Sequence, residues 1–343
     1  MVKKKILVTG GTGYIGSHTV VELINQGFDV VIVDDLSNSS IDVLDGIEKI
    51  TKVKPAFEKF DLCEADKVKA LFTKYPDIEA IIHFAAYKAV GESVDKPLMY
   101  YRNNILGLLN LLEEMVNKPS MGLVFSSSCT VYGQPDKLPV GEDAPIKKAN
   151  SPYGNTKQIS EEIIEDTIKA NKAIRTIALR YFNPIGAHES ALIGELPMGV
   201  PQNLVPFITQ TAIGLREQLS VFGNDYNTPD GSCIRDYIHV VDLAKAHVVA
   251  IKRLLENKNK SNFEIFNLGT GRGVSVLELV HAFEKVTGVK LKYKIVPRRL
   301  GDVEQVWADT SFANKELGWK TAIGLEETLL SAWNWEKKVR NKN

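Results

Sequence analysis

Tyr153 and Lys157 stand four residues apart in Ser151-Pro152-Tyr153-Gly154-Asn155-Thr156-Lys157, a spacing that puts a phenol and an ammonium on one helix face. Ser151 is a good N-cap and Pro152 a good first helical residue, so the helix is expected to start here. Its positive end then lies near the Tyr153 hydroxyl. Both charges favour phenolate, and each pKa unit moved towards neutrality needs about 1.4 kcal/mol of differential stabilisation. The reading is that Lys157 and the helix dipole lower the Tyr153 pKa, so that Tyr153 can take a proton from an alcohol or sugar hydroxyl near pH 7.

Such a pair needs a scaffold and a reaction partner. Lys5-Ile6-Leu7-Val8 reads as a buried strand, followed by Thr9-Gly10-Gly11-Thr12-Gly13-Tyr14-Ile15-Gly16 and an apolar helical pattern. Gly10, Gly13 and Gly16 let the turn tighten, a pyrophosphate approach the backbone and the helix pack closely on the strand. A second strand, Val30-Val31-Ile32-Val33, ends in Asp34, eighteen residues beyond Gly16. An acidic group at that distance binds a ribose diol and repels a 2′-phosphate. No arginine lies between Asp35 and Leu44 to accept one, which favours NAD over NADP.

Further apolar runs at 57–60, 80–86, 123–126 and 176–180 alternate with helical stretches. The pattern predicts an α/β fold, a Rossmann-like doubly wound parallel sheet, in which ligands sit at the carboxyl ends of the strands. Asp61, Ala85, the run Ser126-Ser127-Ser128 and Tyr181 fall at those ends. Beyond residue 181 the alternation loosens and proline and glycine increase, so a dinucleotide-binding domain over about 1–180 and a smaller α/β C-terminal substrate domain over about 181–343 are expected, with segments free to interleave.

Composition narrows the partners. Lys+Arg and Asp+Glu both count 42 in 343 residues, so the chain has no net charge to draw it to nucleic acid or an anionic membrane. No apolar run reaches the ~18 residues of a membrane span, and the amino terminus lacks a signal-peptide core. Cys63, Cys129 and Cys233 are odd in number and widely spaced, which points to a reducing, cytoplasmic compartment. The six histidines form no HExxH or similar cluster, so no catalytic metal is expected.

The glycine motif, Ser128 and Tyr153-x-x-x-Lys157 together resemble the extended short-chain dehydrogenase/reductase family. The strings His83-Phe84-Ala85-Ala86-Tyr87-Lys88-Ala89-Val90-Gly91-Glu92-Ser93, Ser126-Ser127-Ser128-Cys129-Thr130-Val131-Tyr132-Gly133, Arg180-Tyr181-Phe182-Asn183-Pro184-Ile185-Gly186-Ala187-His188 and Arg235-Asp236-Tyr237-Ile238-His239-Val240 are similar to those of its UDP-glucose 4-epimerase branch. The resemblance covers nearly the whole chain. It implies interconversion of UDP-glucose and UDP-galactose through a 4-keto sugar, with NAD that ends unchanged and stays with the protein.

By the same resemblance Tyr153, Lys157 and Ser128 are the catalytic set. The cofactor would be held by Gly10, Gly13, Tyr14, Ile15, Gly16, Asp34, Asn38, Asp61, Leu62, Phe84, Ala85, Lys88, Asn103, Ser126, Tyr153, Lys157 and Tyr181. The UDP-sugar would be held by Ser128, Asn183, Asn203, Leu204, Ser220, Val221, Phe222, Arg235, Arg299, Asp302 and Val306. Valine at 306, where relatives carry tyrosine or a smaller residue, leaves room for an N-acetyl group, so UDP-GlcNAc and UDP-GalNAc join the expected substrates. A homodimer through a four-helix bundle is expected from the helix after Ser151 and the apolar run 105–112.

Two other readings stand beside this one. Dehydratases and decarboxylases of the same family carry carboxylates directly after the serine or threonine, and here Cys129 and Thr130 occupy those places. UDP-glucuronate 4-epimerisation remains as an alternative, as does a non-catalytic NAD-binding scaffold, which usually lacks the tyrosine or the lysine.

Overall fold

Six short apolar runs, each ended by a polar or glycine-bearing turn, become six of the seven strands of one sheet. The structure is a computed structural model that describes residues 3–299 and 302–341. From the amino end the elements are β1 (Lys5–Thr9), α1 (Tyr14–Asn25), β2 (Asp29–Asp34), α2 (Val43–Thr51), β3 (Ala56–Lys59), α3 (Ala65–Lys74), β4 (Ile78–His83), α4 (Val90–Asp95), α5 (Pro97–Asn117), β5 (Gly122–Ser128), α6 (Pro152–Ala170) and β6 (Arg175–Tyr181). There follow β7 (Asn183–Ile185), α7 (Leu204–Ala212), β8 (Leu219–Phe222), β9 (Ile234–Arg235), β10 (Tyr237–His239), α8 (Val240–Leu255) and β11 (Phe263–Leu268). The chain closes with β12 (Val274–Ser275), α9 (Val276–Thr287), β13 (Tyr293–Val296), β14 (Gln305–Val306), α10 (Ser311–Glu316) and α11 (Leu325–Arg340).

The chain forms two compact units. Unit 1 comprises residues up to Gly133, Ile146–Tyr181 and Ala244–Phe266; unit 2 comprises Gln134–Pro145, Phe182–Leu243 and the stretch from Asn267 onward. The seven strands of the large sheet run in the order β11-β6-β5-β4-β1-β2-β3. Every neighbouring pair among β1 to β6 is parallel. Continuous burial along β1, β2, β4 and β5 is what strands covered on both faces require. Leu7, Ile81, Leu123 and Phe125 share one buried cluster with Leu108, Leu111 and Met115 of α5 and Ile164 and Ile168 of α6.

Strand order reverses between β1 and β4, the point at which doubly wound sheets open to ligands. The seventh strand, β11, joins the β6 edge from a part of the chain far beyond the sixth, which the apolar alternation up to residue 180 did not reveal.

Unit 2 is built from small sheets: β7 with β10, β8 with β13, and the three-stranded β12-β9-β14. Its core gathers Val205 and Ile208 of α7, Leu219 and Val221 of β8, Leu279, Val280 and Phe283 of α9, and Leu329, Ala332 and Trp333 of α11. Ser275 and Glu278 form a capping box that fixes where α9 begins.

Candidate active site

In unit 1 the glycine turn after β1 is shaped by close backbone approach. Gly10 has φ +69°, and a Cβ there would lie 2.7 Å from the Ala85 nitrogen. A Cβ at Gly16 would lie 2.1 Å from the Gly10 carbonyl oxygen. Helix α1 has Gly13 as its N-cap and no side chain capping it, so its amino end has backbone donors to offer an anion. Asp34, at the end of β2, is buried and accepts from Thr12 N at 3.1 Å, Leu36 N at 2.9 Å and Ser39 Oγ at 3.2 Å. A diphosphate cradle without side chains, followed by a fixed carboxylate, suits a dinucleotide with a free ribose diol.

Other residues expected around a cofactor lie in this unit too. Lys88 Nζ stands 5.9 Å from the centre of the Tyr14 ring, next to Ile15 in the first turn of α1. The Phe84 ring lies 4.7 Å from that of His247. Asp61 accepts from Cys63 N at 2.9 Å, and Asn103 donates to Asn104 Oδ1 at 3.0 Å. Leu62 is buried in the core cluster, whereas Asn38 is exposed in the loop after β2.

At the carboxyl end of β5 the three serines take three different partners. Ser126 Oγ is hydrogen-bonded to the Tyr181 hydroxyl. Ser127 Oγ donates to Glu161 Oε1 at 2.5 Å. Ser128 Oγ accepts from Thr130 N at 3.2 Å, and its hydroxyl acts on the Tyr153 phenol in the direction of phenolate. Helix α6 starts as the sequence requires, with Ser151 Oγ accepting from Gly154 N at 3.2 Å and Pro152 in its first turn. One turn on, Lys157 is 4% exposed; its Nζ donates to the Ser126 carbonyl at 2.7 Å and lies 4.9 Å from the Phe125 ring centre.

Electrostatically the pair departs from the expectation. Burial pushes the Tyr153 hydroxyl up to about 12, against the opposing hydrogen bond from Ser128. Burial pulls the Lys157 ammonium down to about 8, opposed by the charge of Glu161. Spacing alone foretold a lowered phenol, but it said nothing of the packing that buries Lys157 and half-buries Tyr153. His83, hydrogen-bonded to Thr9 Oγ1 at 2.8 Å, is pulled down to about 3 by burial and the Lys157 charge, so it is neutral.

Two residues of this network were not singled out from the sequence. Glu161 continues the i, i+4 series from Tyr153 through Lys157, and that spacing was the available signal. Its carboxylate takes a two-pronged contact from Arg180, with Nε at 3.0 Å and Nη2 at 2.6 Å, while Arg180 Nη1 reaches the Tyr132 hydroxyl at 3.0 Å. Asn104 links the turn after β4 to α6, accepting from Tyr87 N at 2.8 Å and donating to Thr156 Oγ1 at 3.1 Å.

In unit 2, four of the expected substrate residues come together. Arg299 holds Asp302 with Nε at 3.2 Å and Nη2 at 2.7 Å, and Arg235 Nη2 is 3.8 Å from the same carboxylate. The Arg299 guanidinium lies 5.5 Å from the Phe222 ring centre. Val306 pairs with Arg235 across β14 and β9. Asn183 opens β7, and Ser220 is half-buried on β8. The Val221 side chain packs into the core, and its backbone lies in the β8–β13 ladder. Asn203 and Leu204 begin α7, and the Asn203 amide donates to Glu195 at 2.5 Å rather than joining the arginines. Among the described residues no group of three His, Cys, Asp or Glu could hold a metal ion.

A buried cation below its ordinary pKa costs stability in the folded state. The folded value of Lys157, about 8, lies below its unfolded value of 10.5, so the cost is fully present below pH 8 and disappears as pH rises towards 10.5. Lys157→Met is therefore expected to leave the thermal midpoint of cofactor-free protein at pH 7 unchanged or higher while cutting turnover at least ~100-fold. Scanning calorimetry beside an activity assay checks this, and a clearly lowered midpoint would contradict it.

The comparisons with known proteins agree with this geometry. The family model described as GDP-mannose 4,6 dehydratase matches residues 7–331. A UDP-glucose 4-epimerase of Haemophilus influenzae is 50% identical over 332 residues, 97% of each chain. The structure of a UDP-glucose 4-epimerase from Stenotrophomonas maltophila with bound NAD and formylated UDP-arabinopyranose superposes with a TM-score of 0.95 at 47% identity, covering 99% of this chain and 100% of that one. That of the Bifidobacterium longum enzyme with NAD+ and UDP gives 0.94 at 44% identity, with 99% and 100% covered. With its glycine turn, its Ser-Tyr-Lys cluster and full-length similarity of this order, the chain belongs to the UDP-glucose 4-epimerase family of extended short-chain dehydrogenases/reductases.

Proposed function

We propose that this chain interconverts UDP-galactose and UDP-glucose by NAD-dependent inversion at C4 of the sugar. The observation that carries the reading is the Lys157 ammonium, buried on the Ser126 carbonyl at the end of β5 and one helical turn from Tyr153. NAD, when bound, supplies the two-electron acceptor and donor for C4 and a positive ring that adds to Lys157 in favouring phenolate. The glycine turn with Tyr14, Ile15, Asp34, Asn38, Asp61, Leu62, Phe84, Ala85, Lys88, Asn103, Ser126 and Tyr181 would hold it.

The chain's own residues then have separate tasks. Tyr153 takes the proton from O4 as the 4-keto sugar forms and returns it to the new hydroxyl. Ser128 donates to the reacting oxygen as its charge changes. Lys157 keeps a positive charge close to the phenol. Inversion demands that the sugar turn while its diphosphate stays anchored, which is work suited to the guanidinium forks of Arg235 and Arg299. Asn183 and Asn203 would contact sugar and phosphate, Leu204 and the segment Ser220-Val221-Phe222 would line the uracil, and Asp302 would take its ribose. Cys129 and Thr130, in place of the carboxylates that dehydration requires, favour epimerisation over elimination. Tyr153→Phe should lower kcat by ~10²–10⁴ while NAD still copurifies. NMR of UDP-galactose incubated with each protein gives the answer, and a variant within tenfold of the wild type would refute the role.

A wider substrate range is part of this reading. Val306 is buried in β14 and smaller than tyrosine, so we extend the substrates to UDP-GlcNAc and UDP-GalNAc. Val306→Tyr is expected to remove most activity on the N-acetylated pair and to spare UDP-galactose, and equal loss on both would sink the extension.

For assembly we place two copies against each other through α5 and α6. Leu98, Leu106, Leu109 and Val116 leave apolar surface exposed along the 21-residue α5. Light scattering should give a dimer for the wild type and a monomer for Leu106→Glu/Leu109→Glu; a wild-type monomer would contradict the assembly. Among the described residues no helix is long and apolar enough to cross a membrane, and the three cysteines are free thiols, which supports a cytoplasmic setting.

A further inference from the structure

Asp236 is a single residue standing between two strands that belong to different sheets of unit 2. Ile234–Arg235 (β9) pairs with β12 and β14, whereas Tyr237–His239 (β10) pairs with β7. The Asp236 side chain is fully buried. Its carboxylate accepts four hydrogen bonds: from Thr270 N at 2.8 Å, Thr270 Oγ1 at 2.6 Å, Gly271 N at 3.1 Å and Ala308 N at 3.2 Å. Its own carbonyl accepts from Asn183 N at 2.9 Å. A Cβ on Gly269 would lie 2.4 Å from Asp236 Oδ2, so the turn after β11 is wrapped tightly onto the carboxylate.

The segments tied together in this way carry residues of the proposed substrate site. Arg235 immediately precedes Asp236, Val306 lies two residues before Ala308, and Asn183 is the residue bonded to the Asp236 carbonyl. We propose that Asp236 is a positioning residue for nucleotide-sugar binding: its buried carboxylate fixes the junction from which Arg235, Asn183 and Val306 are presented. The inference rests on the reading of those three as substrate contacts and adds what holds them in register.

Only a carboxylate fits this place. Its two oxygens have about four lone-pair sites, enough for four donors. The isosteric asparagine keeps one acceptor oxygen and turns an NH2 group towards N–H donors, leaving at least one of them buried and unpaired. The junction would then relax, and Arg235 with it. The consequence falls on binding, because the Ser128, Tyr153 and Lys157 cluster of unit 1 contributes nothing to these contacts.

The test uses full-length Asp236→Asn and Thr270→Val with their retained cofactor. UDP affinity is measured by titration calorimetry, KM and kcat with UDP-galactose, and cofactor content by absorbance. For Asp236→Asn the Kd for UDP and the KM should rise together by ~10- to 100-fold, the effect of stranding buried donors. Cofactor content should not change, and kcat should stay within about threefold, the pattern of lost uniform binding. Thr270→Val, which removes one donor and leaves the carboxylate, should move Kd and KM the same way by about threefold. Unchanged Kd and KM, or a fall in kcat matching the loss of folded protein at constant KM, would overturn the inference. If Asp236→Asn does not fold, Thr270→Val decides alone by the same criterion. A wild type that neither binds UDP nor epimerises UDP-galactose overturns the functional reading itself; a wild type that binds UDP and an Asp236→Asn protein that binds it equally well overturn only this inference.

Discussion

The chemistry of the site depends on keeping one ammonium out of water at the end of a parallel strand, at a cost in stability that the fold bears. Lys157 reaches the Ser126 carbonyl from α6, and burial lowers its pKa to about 8. An isolated cation would not remain charged there. Glu161, one turn further on, supplies the counter-charge, and it is itself fixed by Arg180 and Ser127. The strand register makes this possible, because Ser127 stands opposite Arg180 and Ser128 opposite Tyr181 in the β5–β6 pair. Function and fold are therefore coupled through α6, which contributes Tyr153 and Lys157 to the site and Ile164 and Ile168 to the core.

The two units solve different electrostatic problems. Unit 1 buries Lys157, Glu161 and Arg180 beside the site, where low polarity strengthens their effect on a nearby proton. Unit 2 keeps Arg299 exposed and Arg235 half-buried around the Asp302 carboxylate, and under the proposed function their guanidinium forks would meet a diphosphate. Asp236 belongs to a third kind: a buried anion saturated with neutral donors, whose use is geometric.

Much of unit 1 was legible in the sequence because its features are local. The glycine turn, the apolar strands β1 to β6, the Ser151 cap and the Tyr153-to-Lys157 spacing are each written within a few consecutive residues. Features that need distant partners were not. Strand β11 gives no sign in its own residues that it will join β6, and Glu161 reveals its role only when Arg180 is opposite. The Tyr153 hydroxyl was expected to be acidified, yet its desolvation is a property of the packed site and outweighs what spacing could show. Asp236 sat within a recognised string, but the four donors that define it come from residues 270, 271 and 308.

If C4 is oxidised and then reduced again at one site, its hydrogen leaves and returns without exchanging with solvent. Incubation with UDP-galactose carrying deuterium at C4, followed by NMR or mass spectrometry of the UDP-glucose formed, tests it most directly. Deuterium should be retained completely at C4, with no added NAD needed. Loss of the label to water, or epimerisation only with exchangeable external cofactor, would contradict it.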